Sequence, residues 1–180
     1  MTDQLALIPA DSPPEMIRTA VISDCGRYRY ELRRIWDPAG PLLEFVMLNP
    51  STADGSVDDN TIRRCIAFAK AWGYGGIVVR NLYALRATNP EALLNYRGGT
   101  GDAYGPRNDE FIGNHVADCT IVAWGAHAAA LAPDAVVTIR VLQMCRPRLY
   151  CLGTNANGSP KHPLYVPSSR TPTRWEPPGA

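Results

Sequence analysis

Four apolar segments of this 180-residue chain each run into a cluster of hydrogen-bonding side chains. "LLEFVML" is followed by Asn49, Pro50, Ser51, Thr52, Ala53 and Asp54. "GIVVR" meets Asn81, with Arg86, Thr88 and Asn89 close behind. "CTIVA" ends at Trp124, Gly125, Ala126 and His127, and "RLYCL" at Gly153, Thr154 and Asn155, continuing to Lys161, His162 and Pro163. Asparagine amides both donate and accept, histidine exchanges a proton near neutral pH, and a carboxylate accepts one. Each cluster alone has a local explanation. Asn49-Pro50 suits a turn, Asn81 can satisfy its own backbone, Asp58 or Asp59 can cap a helix, and Trp124 can pack in a core. Arg63 and Arg64 suit a solvated helix face, and His127 a helix start. Convergence is what makes them a site: in open α/β sheets ligands bind beyond the carboxyl ends of the strands.

That placement requires strands and helices in alternation. "TAVISD" and "RYRYELRRIW" flank Cys25-Gly26 and read as a hairpin-like pair. In the second, Tyr28, Tyr30 and Leu32 alternate with Arg27, Arg29, Glu31 and Arg33, the period of a strand with one wet face. "LLEFVML" reads as a buried strand. Ile62, Cys65, Ile66, Ala69 and Trp72 recur at helical spacing up to Gly73. "GIVVRNLYA" is the next strand, Asn89-Pro90-Glu91 opens a short helix, and glycine-rich "RGGTGDAYGP" leads to a helix over residues 108–117. "CTIVAWG", a helix over residues 133–145 and "RLYCLG" complete the order. The pattern predicts an α/β fold: a three-layer α/β/α sandwich with a mainly parallel four-stranded central sheet and N-terminal antiparallel edge strands. All 180 residues form one domain, with residues 1–16 an extended arm and residues 159–180 a proline-rich tail without regular structure.

Composition is that of an ordinary globular protein, 46% hydrophobic and 19% charged, with a formal net charge of +1. No overall field points to nucleic acid or membrane, so any nucleic-acid contact needs a local basic patch. No apolar run reaches the ~20 residues of a membrane helix, and the N-terminus lacks a signal-peptide pattern, so a cytoplasmic protein is expected. Five scattered cysteines and the absence of ligand spacing predict no metal, cluster or other cofactor.

The stretches "LNPSTAD", "DNTIRRC", "WGYGG", "NLYALRATNP", "ND", "WG" and "CLGTNANGSPKHPLY" resemble a bacterial and phage family known as domain of unknown function 1643, over about residues 20–167. More distantly, the motifs are similar in order to those of the uracil-DNA glycosylase superfamily. There the first motif is Gly-x-Asn-Pro-Gly, like "MLNPS"; the second is an asparagine after a strand, followed by a basic residue and a proline, like "VVRNLYALRATNP". A third strand ending in glycine is like "IVAWG", and the closing His-Pro is like "KHPLY". Leu48 and Ser51 replace the two glycines of the first motif, and Leu164 stands where a serine is usual.

This second resemblance implies a uracil-DNA glycosylase-like fold and hydrolysis of an N-glycosidic bond to an ordinary or modified nucleobase, in DNA or a nucleotide. It assigns Asn49 to positioning water and His162 to stabilising charge on the leaving base; because an amide cannot take the water's proton, nearby Asp54 is added as the acceptor. Asn81 would read the base edge, with Pro50, Ser51, Thr52, Arg86, Trp124 and Gly125 around the substrate. Arg63, Arg64 and Lys161 would meet phosphates. Two alternatives stay open: a non-catalytic nucleobase- or nucleotide-binding module, and another nucleotide-processing enzyme. The expected partner is DNA, a nucleotide or a nucleobase; no membrane is expected, and the expected state is monomeric.

Overall fold

The period-two run of residues 28–35 becomes strand β2 (Arg29–Ile35), which pairs antiparallel with β1 (Ile17–Ile22) across the Cys25-Gly26 turn. The computed structural model describes residues 15–51, 53–89, 91, 93, 103–126, 134–146 and 148–177. Expectations for the N-terminal arm before residue 15, Thr52, Pro90, the glycine-rich stretch 97–102, His127, Pro133 and residues 178–180 lie outside the described residues.

The further elements are β3 (Leu42–Met47), α1 (Asn60–Ala71), β4 (Gly76–Asn81), α2 (Asn108–Ile112), β5 (Cys119–Val122), α3 (Asp134–Cys145), β6 (Tyr150–Cys151) and β7 (Thr173–Arg174). A 3-10 turn at Pro163–Tyr165 precedes β7. All strands join one sheet in the order β1-β2-β4-β3-β5-β6-β7. The pairings β3 with β4, β3 with β5 and β5 with β6 are parallel, whereas β1 with β2, β2 with β4 and β6 with β7 are antiparallel.

The expected mainly parallel four-stranded sheet in a three-layer sandwich is thereby corrected to a seven-stranded mixed sheet with few helices. Two features of the chain cause the difference. Leu32, Arg33, Arg34 and Ile35 pair with Val79, Val78, Ile77 and Gly76, so β2 is an interior strand and the N-terminal pair extends the same sheet. At the other end Tyr150 and Cys151 pair with Arg174 and Thr173, so the proline-rich tail supplies a strand.

Strand β3 is buried on both faces. Leu43, Phe45 and Met47 meet Ile62, Cys65, Phe68 and Ala69 of α1. Val46 and Leu48 belong to the opposite cluster, with Ile112 of α2, Leu142 of α3 and Trp175 of the tail. Full burial of such side chains contributes roughly 1.5–3 kcal/mol each, which outweighs the modest propensities of short helices. Asp59 caps α1 by accepting from the Ile62 amide at 2.9 Å, and Gly73 ends it with φ 79°.

The wet face expected for β2 is instead largely buried and ion-paired. Glu31 accepts from Arg80 Nη2 at 2.6 Å and from Arg33 Nε at 2.6 Å. Glu44 of β3 accepts from Arg80 Nη1 at 3.1 Å, from Arg146 Nε and Nη2 at 2.7 Å each, and from Thr120 Oγ1 at 2.7 Å. Arg146 Nη1 also donates to the Ile112 carbonyl at 2.7 Å. The network ties β2, β3, β4 and β5 to the residues that end α2 and follow α3. Strand alternation picks out Glu31 and Arg33 of this network, but not Glu44, Arg80 or Arg146, which come from distant parts of the chain.

Candidate functional site

The carboxyl ends of β3 and β5, the start of α1 and the segment before the 3-10 turn surround one cavity of about 380 Å³. That is the lower end of the range for small-molecule sites, ~300–1,000 Å³. Asn49, Ser51, Asp59, Trp124, Lys161 and His162 are among its lining residues.

Two loops place Asn49. Its Nδ2 donates to the Ala87 carbonyl at 2.7 Å and to the Pro50 carbonyl at 3.1 Å. The Ala87 amide returns a bond to Pro50 at 2.9 Å. Asn49 therefore staples the loop after β3 to the loop after β4. An asparagine amide has two hydrogens and one oxygen, so with both hydrogens committed its oxygen is the group to offer a ligand.

His162 is placed by glycines. Gly125, at φ 77°, turns the chain beyond β5, and its amide donates to the Pro160 carbonyl at 2.9 Å. The Lys161 amide donates to the carbonyl of Gly153, which sits at φ 106° beyond β6. His162 is thus held between two strand exits. Its Nδ1 accepts from the Leu164 amide at 3.4 Å, so the neutral ring carries its proton on Nε2. Burial lowers its pKa below 6.5, partly opposed by the negative charge of Asp59. Burial disfavours the imidazolium, and the ring enters neutral-pH chemistry as a neutral hydrogen-bond donor.

Asp59 is the carboxylate of the cavity. Asp54 is not among the lining residues. Its Oδ1 accepts from the Ser56 amide at 2.8 Å, the Val57 amide at 2.9 Å and Ser56 Oγ at 3.0 Å. Those bonds hold its pKa at about 2 and close a tight turn. An acid so stabilised as the anion is a poor proton acceptor.

Arg29 also lines the cavity while only 2% exposed. Nη1 donates to the Ala53 carbonyl at 2.5 Å, but the buried Nε has no hydrogen-bond partner among the described residues. Burial lowers its pKa to about 10, with Asp59 opposing and Arg86 reinforcing the shift. Sequence reading left Arg29 on a solvated strand face. A period-two pattern assigns a face, and only the position of β2 inside the sheet shows that this face is covered.

The other expected residues divide clearly. Ser51, Trp124, Gly125 and Lys161 line the cavity, and Trp124 meets Trp175 edge-on at 5.1 Å between centroids. Pro50 is buried beside it as an acceptor. Thr52 lies outside the described residues. Asn81 is 1% exposed and is not a lining residue; its carbonyl accepts from Asn108 Nδ2 at 3.1 Å, while neither polar atom of its own amide has a partner among the described residues. Arg86 lines an adjoining cavity and donates to the Gly26 carbonyl at 3.2 Å. Arg63 donates to the Asp58 carbonyl and, at 2.8 Å, to Asn60. Arg64 donates to the Val166 carbonyl at 2.7 Å and lies 4.6 Å over the Phe68 ring, a brace between α1 and the tail. Tyr165, 82% exposed at the rim and 5.7 Å from the His162 ring, is a lining residue that the motif reading passed over.

Among the described residues no group of three or more His, Cys, Asp and Glu side chains is placed to hold a metal ion. No helix among them is long and apolar enough to cross a membrane.

Residues 29–164 match the family described as "Protein of unknown function (DUF1643)". No curated protein and no solved structure matches the chain. The matched segment holds most of the chain and every described residue named above as lining the main cavity except Tyr165, and the chain belongs to that family.

Proposed function

We propose that this member of the DUF1643 family hydrolyses the N-glycosidic bond of a nucleobase in DNA or a nucleotide, using the cavity at the ends of β3 and β5. The observation that carries the reading is the meeting of three complementary groups in that cavity: the neutral imidazole of His162, the carboxylate of Asp59 and the amide of Asn49. The order of the strand-end motifs, similar to that of the uracil-DNA glycosylase superfamily, points to the same reaction class.

In this mechanism the Asn49 oxygen orients a water by accepting one of its hydrogens. The C1′–N bond breaks with its electron pair passing to the base, while the water oxygen bonds to C1′ and loses a proton to Asp59. His162 donates its Nε2 hydrogen bond to the departing base, where negative charge accumulates. Asp59 also stabilises the positive charge that develops on the sugar. Met47, Leu48 and Trp124 supply apolar wall against the flat base.

The test uses oligonucleotides carrying uracil, mismatched bases or hypermodified bases, followed by alkaline cleavage at abasic sites. Strand breaks that depend on His162 and Asp59 support the reading. Absence of abasic sites across the panel rejects hydrolysis in DNA, and absence of released base from the matching nucleotides rejects hydrolysis altogether.

One observation favours a second reading, a module that binds a base without cleaving it. Asp59 Oδ1 already caps α1, and both hydrogens of the Asn49 amide already staple loops. Nucleobase binding without abasic sites in the same experiment selects this alternative.

A further inference from the structure

A second cavity, of about 300 Å³, adjoins the first. Ser51, Ala87 and Thr88 line both, so the two share a wall. The character of the second differs: Arg27 and Arg86 line it, and among the described residues no carboxylate does. Its frame is tied by backbone bonds, from the Arg86 amide to the Arg27 carbonyl at 2.9 Å and from the Ala87 amide to the Pro50 carbonyl at 2.9 Å. The Arg86 Nη1 bond to Gly26 fixes one guanidinium against the turn between β1 and β2.

We propose that this adjoining cavity is an anion subsite, in which Arg27 and Arg86 take the phosphate of a ligand whose base occupies the main cavity. The proposal rests on the reading that a nucleobase enters the main cavity, and it names the substrate class as phosphorylated: a nucleotide or a nucleic-acid strand.

Three lines support it. First, like charges gather in a chain whose formal net charge is only +1. Arg86 adds like-charge repulsion to buried Arg29, behind the larger effect of burial and against the opposing charge of Asp59, and Arg29 lines the main cavity. A bound anion relieves this repulsion. Second, Ser51 and Thr88 add hydroxyl donors on the shared wall, where a linkage between base-bearing sugar and phosphate must pass. Third, the other arginines expected to meet phosphate, Arg63 and Arg64, line neither cavity. Recognition of phosphate by paired guanidinium groups supplies charge-assisted bonds that a neutral nucleoside cannot make.

The experiment measures calorimetric binding of the four common deoxynucleosides and deoxyuridine, their 5′- and 3′-monophosphates, and single- and double-stranded 12-mers. At least one monophosphate or 12-mer is expected to bind about tenfold or more tightly than its matched nucleoside, the increment of one or two charge-assisted bonds. Arg27→Ala with Arg86→Ala should abolish that increment, read as the ratio of phosphorylated-probe to nucleoside affinity in the same folded variant. Arg107→Ala, which removes one charge from the exposed pair with Glu110, should keep it. Gain with monophosphates identifies a free nucleotide, and gain with 12-mers alone identifies a strand. The subsite is overturned if phosphate brings no increment, including no binding of any probe at millimolar concentration, or if the increment survives in the double variant. Nucleosides that bind without a phosphate increment leave the base reading standing. Inorganic phosphate that binds in an arginine-dependent way, with no nucleoside binding, keeps the subsite and removes the base.

Discussion

The backbone amide of Leu164 donates to Nδ1 of His162 at 3.4 Å, and this contact decides which nitrogen of the ring carries the proton. A proton on Nδ1 would meet the Leu164 N–H head-on, so the neutral tautomer is Nε2–H. Burial acts in the same direction and lowers the pKa below 6.5. Unfolded His162 then binds a proton at higher pH than folded His162. The stability contributed by the neutral ring is complete above about pH 6.5 and is lost as pH falls through the lowered folded value. Nitrogen-correlated NMR of the three histidines, with His162→Gln for assignment, should show an Nε2–H tautomer titrating below 6.5. An Nδ1–H signal, or titration above that value, removes His162 as a neutral donor.

Asp59 and Asp54 should separate cleanly on substitution. Asparagine caps helices about as well as aspartate, so Asp59→Asn should keep the cap of α1, and any stability loss measures the lost attraction to buried Arg29. It removes the proton acceptor, however, and turnover should fall by roughly 10²–10⁴ if the cavity is hydrolytic. Asp54→Asn keeps an oxygen where the turn needs one, and Asp54 is not a lining residue. Its turnover should stay within about threefold of the parent, well short of a general-base effect. Equal losses in the two variants would show that both act only through the fold.

The charge network predicts a large stability effect away from the cavity. Glu44, fully buried, faces Arg80 and Arg146 together. Glu44→Gln leaves two guanidinium groups sharing a neutral amide, and removing one partner of a buried ion pair costs about 3–5 kcal/mol. Urea unfolding should report a loss of that order with an unchanged m-value. A loss below about 1 kcal/mol would mean that the network is solvated and adds little, as surface pairs do.

The comparison of sequence with structure is sharpest at β2. Its alternation showed a strand, and the register with β1 confirms the pairing of the two arms around Cys25-Gly26. Burial of Arg29, Glu31 and Arg34 was not legible, because each is stabilised by a partner far along the chain, such as Arg80 for Glu31 and Asp58 for Arg34. Helix α1 was readable from the spacing of Ile62, Cys65 and Ala69, and its cap from the Asp58-Asp59 pair. The choice of Asp59 over Asp54 as the cavity carboxylate was not, since it depends on which oxygen the 54–57 turn consumes. Polar groups after β3 and β5 line one cavity. Asn81 follows the same rule in sequence, yet it lies 1% exposed outside the cavity lining, because it pairs with Met47 inside the sheet, two residues short of the position that Asn49 holds beyond β3.

Asn49 invites the substitution that a hydrolytic reading most obviously suggests, a carboxylate in place of the amide. The hydrogen bonds argue against it. Nδ2 donates to two carbonyls, Ala87 and Pro50, and Asn49→Asp replaces that donor with an oxygen facing both. The Ala87 carbonyl then loses this donor, the Pro50 carbonyl keeps only the Ala87 amide, and both meet a like partial charge, a cost of about 1–3 kcal/mol for a group left unsatisfied. The loops after β3 and β4 come unstapled, and with them the wall formed by Ser51, Ala87 and Thr88 between the two cavities. Asn49→Asp is therefore expected to be destabilised by at least about 1 kcal/mol in urea unfolding and to bind nucleosides more weakly than the parent. Asn49→Gln offers the same donors on a longer arm and should recover part of the stability. If Asn49→Asp instead unfolds at the parent's midpoint and gains turnover, the amide is not a staple, and a carboxylate at this position serves the water better than the existing pair of Asn49 and Asp59.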